Sequence, residues 1–543
     1  MEITMKIRST FKARMLCMVA LLGTIMALTS CSSEEIAQDD SGKTPKTDKN
    51  FTTFSSVAPN TRTTMSPTGV FKWKAGDRIF VKDDKGEWQE SGNTPTSETA
   101  TFDFIVPGKF STDKNYTVYY AGGSGGSGPD MVHIERFQLQ RIPNNANHVG
   151  QDGDCGWGIA TAATGAAADR VDFVFKIDHK AAYLKFTPYC GNNKLLNGDK
   201  VKLTTIEIFS NNDISGTYLT LDPANDRITG GIVKDTLITL STTGGEGYDD
   251  GFPIPAVATS DANACYVVIL PGTHTLRVRF GIKDLETVTT GYVTKEYPAF
   301  NYAANTVYDM PSELTVKDYS PLYYMWDAKR PYWFRHEWNK EGYVYGIDQP
   351  THSGGHGDEY PGAAGSGGDN RYYNTDIGNV GEGTHGTFNP ASPQHVPNAN
   401  EMSWYVMYGD PHWDEELWTA MGHIHSGGVW IKKKANISGF RSDLAADNET
   451  DMRTTNKSFS NQEVYNDRYK HLFLSEKTNY FYLPAFGQYQ KEWFHYISES
   501  GYYWTSSACP WGGETAYTLH FGWGGIGVDS ESRAHGNLAI PFE

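Results

Sequence analysis

Between Leu276 and Lys283 the side chains alternate: Leu276, Val278, Phe280 and Ile282 face one way, and Arg277, Arg279 and Lys283 face the other. A period of two is the mark of a strand with one face in a core and one in water. The same grammar runs from Phe51 to about Val316, where short apolar runs are broken by Gly, Asn, Asp and Pro clusters and no helical period is sustained. That length suits two β-sandwich domains, 51–155 and 170–316, with a boundary between Ile142 and Arg170. The stretches Val201–Phe209 and Gly216–Asp222 are expected to form a hairpin or to connect neighbouring strands. From Phe173 to Phe186 the apolar positions change parity, which predicts a bulge near His179, a histidine read as a core or turn-supporting residue.

The first thirty residues have a different purpose. Lys6, Arg8, Lys12 and Arg14 precede the apolar run Met15–Leu28, too short for the ~20 residues of a membrane-spanning helix. The run ends in Leu28-Thr29-Ser30-Cys31, which resembles the lipobox of bacterial lipoproteins. The resemblance implies a cleaved signal peptide (1–30), a diacylglycerol on the Cys31 thiol and a chain held at a membrane surface. Residues 31–50 are polar and read as a flexible tether. Its Glu34, Glu35, Asp39 and Asp40 look like an acidic export tag that sends such lipoproteins to the outer leaflet of the outer membrane. The formal charge is −17, and removal of residues 1–30, with their net +3, leaves −20. Such acidity argues against nucleic acid as a partner.

Beyond Asp318 the composition changes: eleven of the fourteen tryptophans and twelve of the sixteen histidines lie there, so 320–543 is read as a separate domain. Four cysteines remain in the mature chain after Cys31, namely Cys155, Cys190, Cys265 and Cys509. In an oxidising compartment these are either buried free thiols or include a disulfide. Their spacing is not that of a zinc site. Asp410, His412, Asp414, Glu415, His423 and His425 crowd one stretch, but no HExxH stands there, and helix-plus-hairpin packing explains them. No metal or cofactor is expected.

Three stretches of the strand-rich region resemble the fimbrillin family of Bacteroidetes pilus subunits and surface lipoproteins. The first is Asn60-Thr61-Arg62-Thr63-Thr64 followed by Phe71-Lys72-Trp73 and Gly76-Asp77-Arg78-Ile79, with Gly76-Asp77 as a turn between strands. The second runs from Phe173 to Phe186. The third is Cys265–Gly272 with Ala299–Tyr308. The resemblance implies two tandem transthyretin-like sandwiches and assembly with other fimbrial subunits by donor-strand exchange. It also makes Arg62 a candidate protease-processing site, the other reading being a surface arginine in an intact strand.

The last third resembles the fibrobacter-type major paralogous domain, regarded as C-type-lectin-like. Pro397–Tyr405, Gly427–Lys432, Asn479–Ala485, Gly501–Ser507, Ala516–Phe521 and Arg533–Asn537 carry that likeness. The overall expectation is therefore a mostly β chain: two sandwiches followed by an α+β lectin-like domain. Asn400 is read as the cap of a helix beginning near Glu401, and Tyr503-Trp504 and Tyr517–Phe521 as paired strands. The family's calcium-binding tripeptides are absent, so calcium is not expected. Related domains occur in formylglycine-generating enzymes, which need an activated cysteine pair, but Cys509 stands alone after Ser506-Ser507.

A non-enzymatic fimbrial subunit or tip adhesin is the reading these features favour, binding carbohydrate or a host surface ligand through its C-terminal domain. Trp504, Trp511, Trp523, His520 and Glu514 are the candidate ligand-binding residues, with core packing the competing role for each tryptophan. The alternative is a surface glycan-binding or glycan-processing lipoprotein unrelated to pili; glycosidase chemistry would need two carboxylates converging on one cleft.

Overall fold

Trp73 shows how the sequence builds the first core. Its indole is fully buried among Phe104, Tyr120 and Phe175, and its Nε1 donates to Ser56 Oγ at 2.8 Å. The turn that follows needs a left-handed residue, and Gly76 supplies it at φ 89°; Ile79 then returns to the core. The computed structural model describes residues 51–57, 64–65, 71–123, 128–163, 172–191, 196, 199–335, 341–342, 363–384, 396–464, 472, 474–491 and 493–543. Cys31, Arg62, the signal peptide and the tether lie outside the described residues. Asn50–Glu543 forms one compact unit.

The described chain is mostly β, and only one described helix, Ala399–Tyr408, is longer than four residues. No helix among the described residues is long and apolar enough to cross a membrane. The first sheet runs in the order Trp88–Glu90, Phe80–Lys82, Tyr116–Tyr120, Gly156–Ala162, Asp172–Phe175, Phe51–Ser56, Asp103–Pro107. It wraps around Phe54, Trp73, Phe104, Tyr116 and Phe173.

A second β assembly follows. Ala182–Tyr189 lies between Cys265–Ile269 and Val307–Glu313, facing a large sheet that contains Val201–Ser210, Gly272–Asp284 and Thr290–Tyr302. Met131–Ile134 and Phe137–Leu139 also reach into it, pairing with Ser215–Asp222 and Leu237–Ser241. The large sheet does not stop at residue 316. Tyr292 pairs in parallel with Glu416, and the sheet continues through His412–Ala420, His423–Lys432 and Tyr480–Pro484. The Glu416 carboxylate accepts from Thr294 N at 2.9 Å and Thr294 Oγ1 at 2.7 Å, so two hydrogen bonds brace the junction.

Four local expectations are corrected. The parity change near His179 is a crossing between cores rather than a bulge. Phe173, Phe175 and Ile177 serve the first core, the chain passes through the two-residue strand Asp178–His179, and Leu184 and Phe186 serve the second. His179 is buried, with Nδ1 2.6 Å from Asp154 Oδ1. Val201–Ser210 and Ser215–Asp222 do not pair with each other; the link between them joins two sheets. Arg277 and Arg279 are buried, not wet. Their guanidinium groups lie over Phe209 and Tyr292 at 4.7 and 3.8 Å, and Arg279 stands 3.5 Å from the Glu207 carboxylate, so rings and an opposite charge replace water. Finally, the helix cap is Asn398. It accepts from Glu401 N at 3.0 Å, while Glu401 accepts from Asn398 N at 2.9 Å. This reciprocal box fixes the start two residues before Asn400, which instead bonds Met452 N and Asp451.

Candidate functional site

The C-terminal core is crowded with rings, including Trp404, Trp413, Trp418, Tyr489, Tyr503 and Phe521. Above it lies a sheet whose central hairpin is Ser500–Ala508 and Thr515–Gly522, in the register Tyr503↔Leu519 and Trp504↔Thr518. This hairpin and the turn that follows it carry the five candidate ligand residues and sort them into three places. Trp504 is fully buried with Trp326, Val396, Ala508 and Ala516, and its Nε1 donates to Tyr324 O at 2.7 Å. Its ring is a packing surface. Trp511 and Glu514 are exposed on the loop that joins the two strands, Trp511 at 61%. His520 and Trp523 sit toward the opposite end, with Trp523 58% exposed on the turn to Gly525–Ser532 and its ring 6.1 Å from that of buried Trp413. Eight strand residues separate the two ends, roughly 26 Å. The five residues therefore do not converge on one pocket.

Around His520, however, the sheet brings together side chains that are distant in sequence. His520 pairs with Tyr502 on one side and Gly527 on the other. A Cβ on Gly527 would stand 2.7 Å from His520 Nε2, so the glycine lets the imidazole lie across its strand. Beyond Tyr502, the parallel bridge Gly487↔Gly501 sets Gln488 beside Tyr502, and Gln488 pairs with His495 in Trp493–Ile497. The result is a row, His495, Gln488, Tyr502, His520, crossing four strands. Trp493 stacks on His495 with ring planes 8° apart, and Tyr496 lies next to both His495 and Tyr502.

The electrostatics follow from burial and neighbours. Desolvation lowers the His520 pKa against the opposing pull of Asp529 and Glu531, so the ring is mostly neutral at pH 7. Desolvation also raises the Tyr502 hydroxyl, partly offset by a hydrogen bond with Gln488. Burial alone would raise Glu531, but the His535 ring, 2.8 Å away, brings it below its usual value.

The acidic and histidine-rich stretch between Asp410 and His425 is divided among separate structural tasks. Asp410 takes Tyr480 Oη at 2.7 Å and Lys432 at 2.9 Å; Asp414 takes Trp430 Nε1 at 3.0 Å and Lys477 at 3.3 Å; His425 packs on Trp418. Among the described residues no group of three or more His, Cys, Asp or Glu is placed to hold a metal ion. Cys155, Cys190, Cys265 and Cys509 are all free and buried. Burial pushes the Cys509 thiol up to about 12, so at neutral pH it is not a nucleophile.

Comparison with known proteins gives only coarse likenesses. No protein-family model matches the chain, and no curated protein matches it. Among solved structures, a Bacteroides uniformis protein assigned to cell adhesion is similar over 49% of this chain and 94% of its own, at 14% identity and TM-score 0.28. A fimbrial protein of Bacteroides ovatus aligns over 90% of this chain and 98% of its own, at 10% identity and TM-score 0.24. The fimbrial anchor protein Mfa2 of Porphyromonas gingivalis aligns over 47% and 83%, at 11% identity and TM-score 0.21. Superpositions this loose carry no functional argument.

Of the row around His520, only His520 itself is a candidate from the sequence. Gln488, His495 and Tyr502 join it through strand pairings that no local pattern announces.

Proposed function

We propose that this chain is a lipid-anchored surface protein of the fimbrial type, a subunit or tip adhesin that assembles by donor-strand exchange. In this reading Cys31 carries the lipid, the outer membrane is the site of attachment, and the C-terminal module meets carbohydrate or a host surface ligand. One observation carries the assembly part. Phe51–Ser56 lies between Asp103–Pro107 and Asp172–Phe175, inserts Thr52, Phe54 and Ser56 into the core, and stands just before Arg62 in the chain. A cut after Arg62 would separate that strand from the rest of its sheet. Its departure would leave two unpaired strand edges one strand apart, and an apolar slot under them. Such a slot suits β-augmentation, in which main-chain hydrogen bonds give affinity and alternate side chains fill pockets.

The C-terminal module supports a position at a fibre end. It is joined to the second β assembly through paired strands and the Glu416 hydrogen bonds, so its bulk is fixed there and would obstruct the axial stacking of further subunits.

The test is to treat the mature protein with a trypsin-like protease beside purified pilus subunits. The expected result is cleavage after Arg62, release of the fragment containing Phe51–Ser56 and a new complex on size exclusion, all blocked by Arg62→Ala. A cleaved chain that frees the strand yet binds no subunit overturns the exchange mechanism. Immunogold label at regular intervals along fibres, rather than at their ends, overturns the tip position. Mass spectrometry of the mature N-terminus is expected to find an acylated Cys31; a free thiol there sinks the anchor.

A further inference from the structure

The His495, Gln488, Tyr502, His520 row has features that packing does not explain. Trp493 and Tyr496 stand side by side in the row's border at 43% and 41% exposed, and His520 is exposed as well. Their polar atoms are interleaved with the rings instead of being gathered at one edge. Gln488 is the buried amide of the row. Its side chain is 2% exposed, and its Oε1 has no partner among the described residues. A buried acceptor left unpaired costs about 1–3 kcal/mol, a cost that a ligand hydroxyl reaching the row would remove.

The dimensions and charge narrow the ligand. From His495 to His520 there are three inter-strand steps, about 14 Å at ~4.8 Å each, longer than a single sugar ring. The charges acting on His520 are the carboxylates of Asp529 and Glu531, which disfavour an anionic ligand. Sugar rings present an apolar C–H face and a rim of hydroxyls, the complement of rings interleaved with an amide, a phenol and imidazoles.

We propose that the row His495, Gln488, Tyr502 and His520, bordered by Trp493 and Tyr496, is a binding surface for neutral oligosaccharides of more than one ring. It rests on the adhesin reading above for the kind of ligand and adds the place, the charge and the minimum length. Rings stack on the faces of Trp493 and Tyr502, and a hydroxyl donates to Gln488 Oε1. Trp511 and Glu514, at the far end of the hairpin, take no part.

The test is affinity electrophoresis of the mature chain in gels containing a neutral polysaccharide (xyloglucan or a mixed-linkage β-glucan) or an anionic one (polygalacturonate). A dilution series of the neutral hexasaccharide and monosaccharide follows in a titration calorimeter. Retardation by a neutral polymer, with the hexasaccharide binding and the monosaccharide not, is expected. Trp493→Ala, an exposed site that folding tolerates, and Tyr502→Phe, which keeps the ring, separate stacking from the hydroxyl. Trp493→Ala is expected to weaken binding about tenfold or more, with Trp511→Ala unchanged. Neutral glycan binding abolished by Trp511→Ala and untouched by Trp493→Ala would overturn the site while leaving the adhesin reading intact. Binding of polygalacturonate alone would overturn the charge argument. Absence of binding to every polysaccharide would remove both this proposal and the carbohydrate part of the adhesin reading, leaving the assembly result independent.

Discussion

Phe51–Ser56 has main-chain partners on both sides, whereas Cys265–Ile269 has a strand on one side only, Ala182–Tyr189, among the described residues. On its other side, side chains stand in for a strand. Gln138 Nε2 donates to Val268 O at 2.7 Å while its Oε1 accepts from Val268 N at 3.0 Å. Gln140 does the same two residues on, with Ala264 O at 2.7 Å and Tyr266 N at 2.8 Å. The spacing works because outward backbone groups on a strand recur every second residue, as do side chains on one face of the strand opposite. The contrast separates a replaceable completion from a fixed one. Under the proposed exchange an incoming strand takes the place of Phe51–Ser56, whereas at Cys265–Ile269 it would have to strand two buried amides first.

The largest expected effect tests the replaceable side. Phe54 is fully buried, stacked on Phe173 at 5.0 Å and edge-on to Phe110 at 5.0 Å. Phe54→Ala is expected to cost about 3–5 kcal/mol in urea unfolding of the mature chain. A cost below about 1 kcal/mol would mean the slot is not a true part of the core, and the comparison would fail.

On the fixed side, Gln138→Ala leaves the buried N–H and C=O of Val268 without partners, and Gln140→Ala leaves the Tyr266 N–H without one while Ala264 O keeps Asn144 N at 2.9 Å, at about 1–3 kcal/mol for each group stranded. Hydrogen exchange should accelerate at Val268 for the first and Tyr266 for the second. Protection unchanged at both amides would show that water already serves that edge, and that its closure is not a property of the glutamines.

What could be read in advance was local. The alternation from Leu276 to Ile282, the Trp73 to Ile79 turn and the pairing of Tyr503-Trp504 with Tyr517–Phe521 follow from period and glycine placement, and the structure has all three. What could not be read depended on register between distant segments. Arg277 and Arg279 carry the pattern of a wet face, yet Phe209, Tyr292 and Glu207 surround them. Trp504 shares a face with Tyr502, since both lie two apart on one strand, but one is roofed by Trp326 and Val396 and the other is half-exposed. Gln138 and Gln140 look like solvent-facing residues until Cys265–Ile269, more than 120 residues later, arrives beside them.

Acidification sharpens the comparison, because the two assemblies titrate in different windows. His274, after the Cys265–Ile269 strand, is buried with Nε2 2.9 Å from Leu270 O, and desolvation holds its pKa below the usual value despite that hydrogen bond. The unfolded chain, with a histidine pKa near ~6.5, then binds more protons, so stability is full above that pH and falls as pH drops through and below it. His412 in the C-terminal module is shifted in the same direction, again chiefly by desolvation. In the first core Asp84 is held well below the usual carboxylate range by Ser111 at 2.6 Å, Lys114 at 3.0 Å and Tyr116 at 2.8 Å. Its contribution is present above about 3.9 and lost only below it. Between pH 6.5 and 5, amide protection should therefore fall at Cys265–Ile269 while Phe51–Ser56 keeps its own. Equal loss in both strands would show that they open as one unit.

The smallest effect tests side-chain completion where water can take over. Asn398 closes the start of Ala399–Tyr408 much as Gln138 closes a strand edge, with an amide oxygen accepting from a backbone N–H. Asn398 is only partly buried, so the Glu401 N–H it serves can turn to solvent, and Asn398→Ala should cost about 1 kcal/mol. Asn400, two residues on, is fully buried and accepts from Met452 N at 2.8 Å, so Asn400→Ala belongs with the glutamines at about 1–3 kcal/mol. Urea unfolding of the three variants orders them by burial if desolvation sets the strength of such substitutes for main-chain pairing. If Asn398→Ala costs as much as Gln138→Ala, geometry rather than exclusion of water governs them, and the closed edge at Cys265–Ile269 loses the reason given for its resistance to an incoming strand.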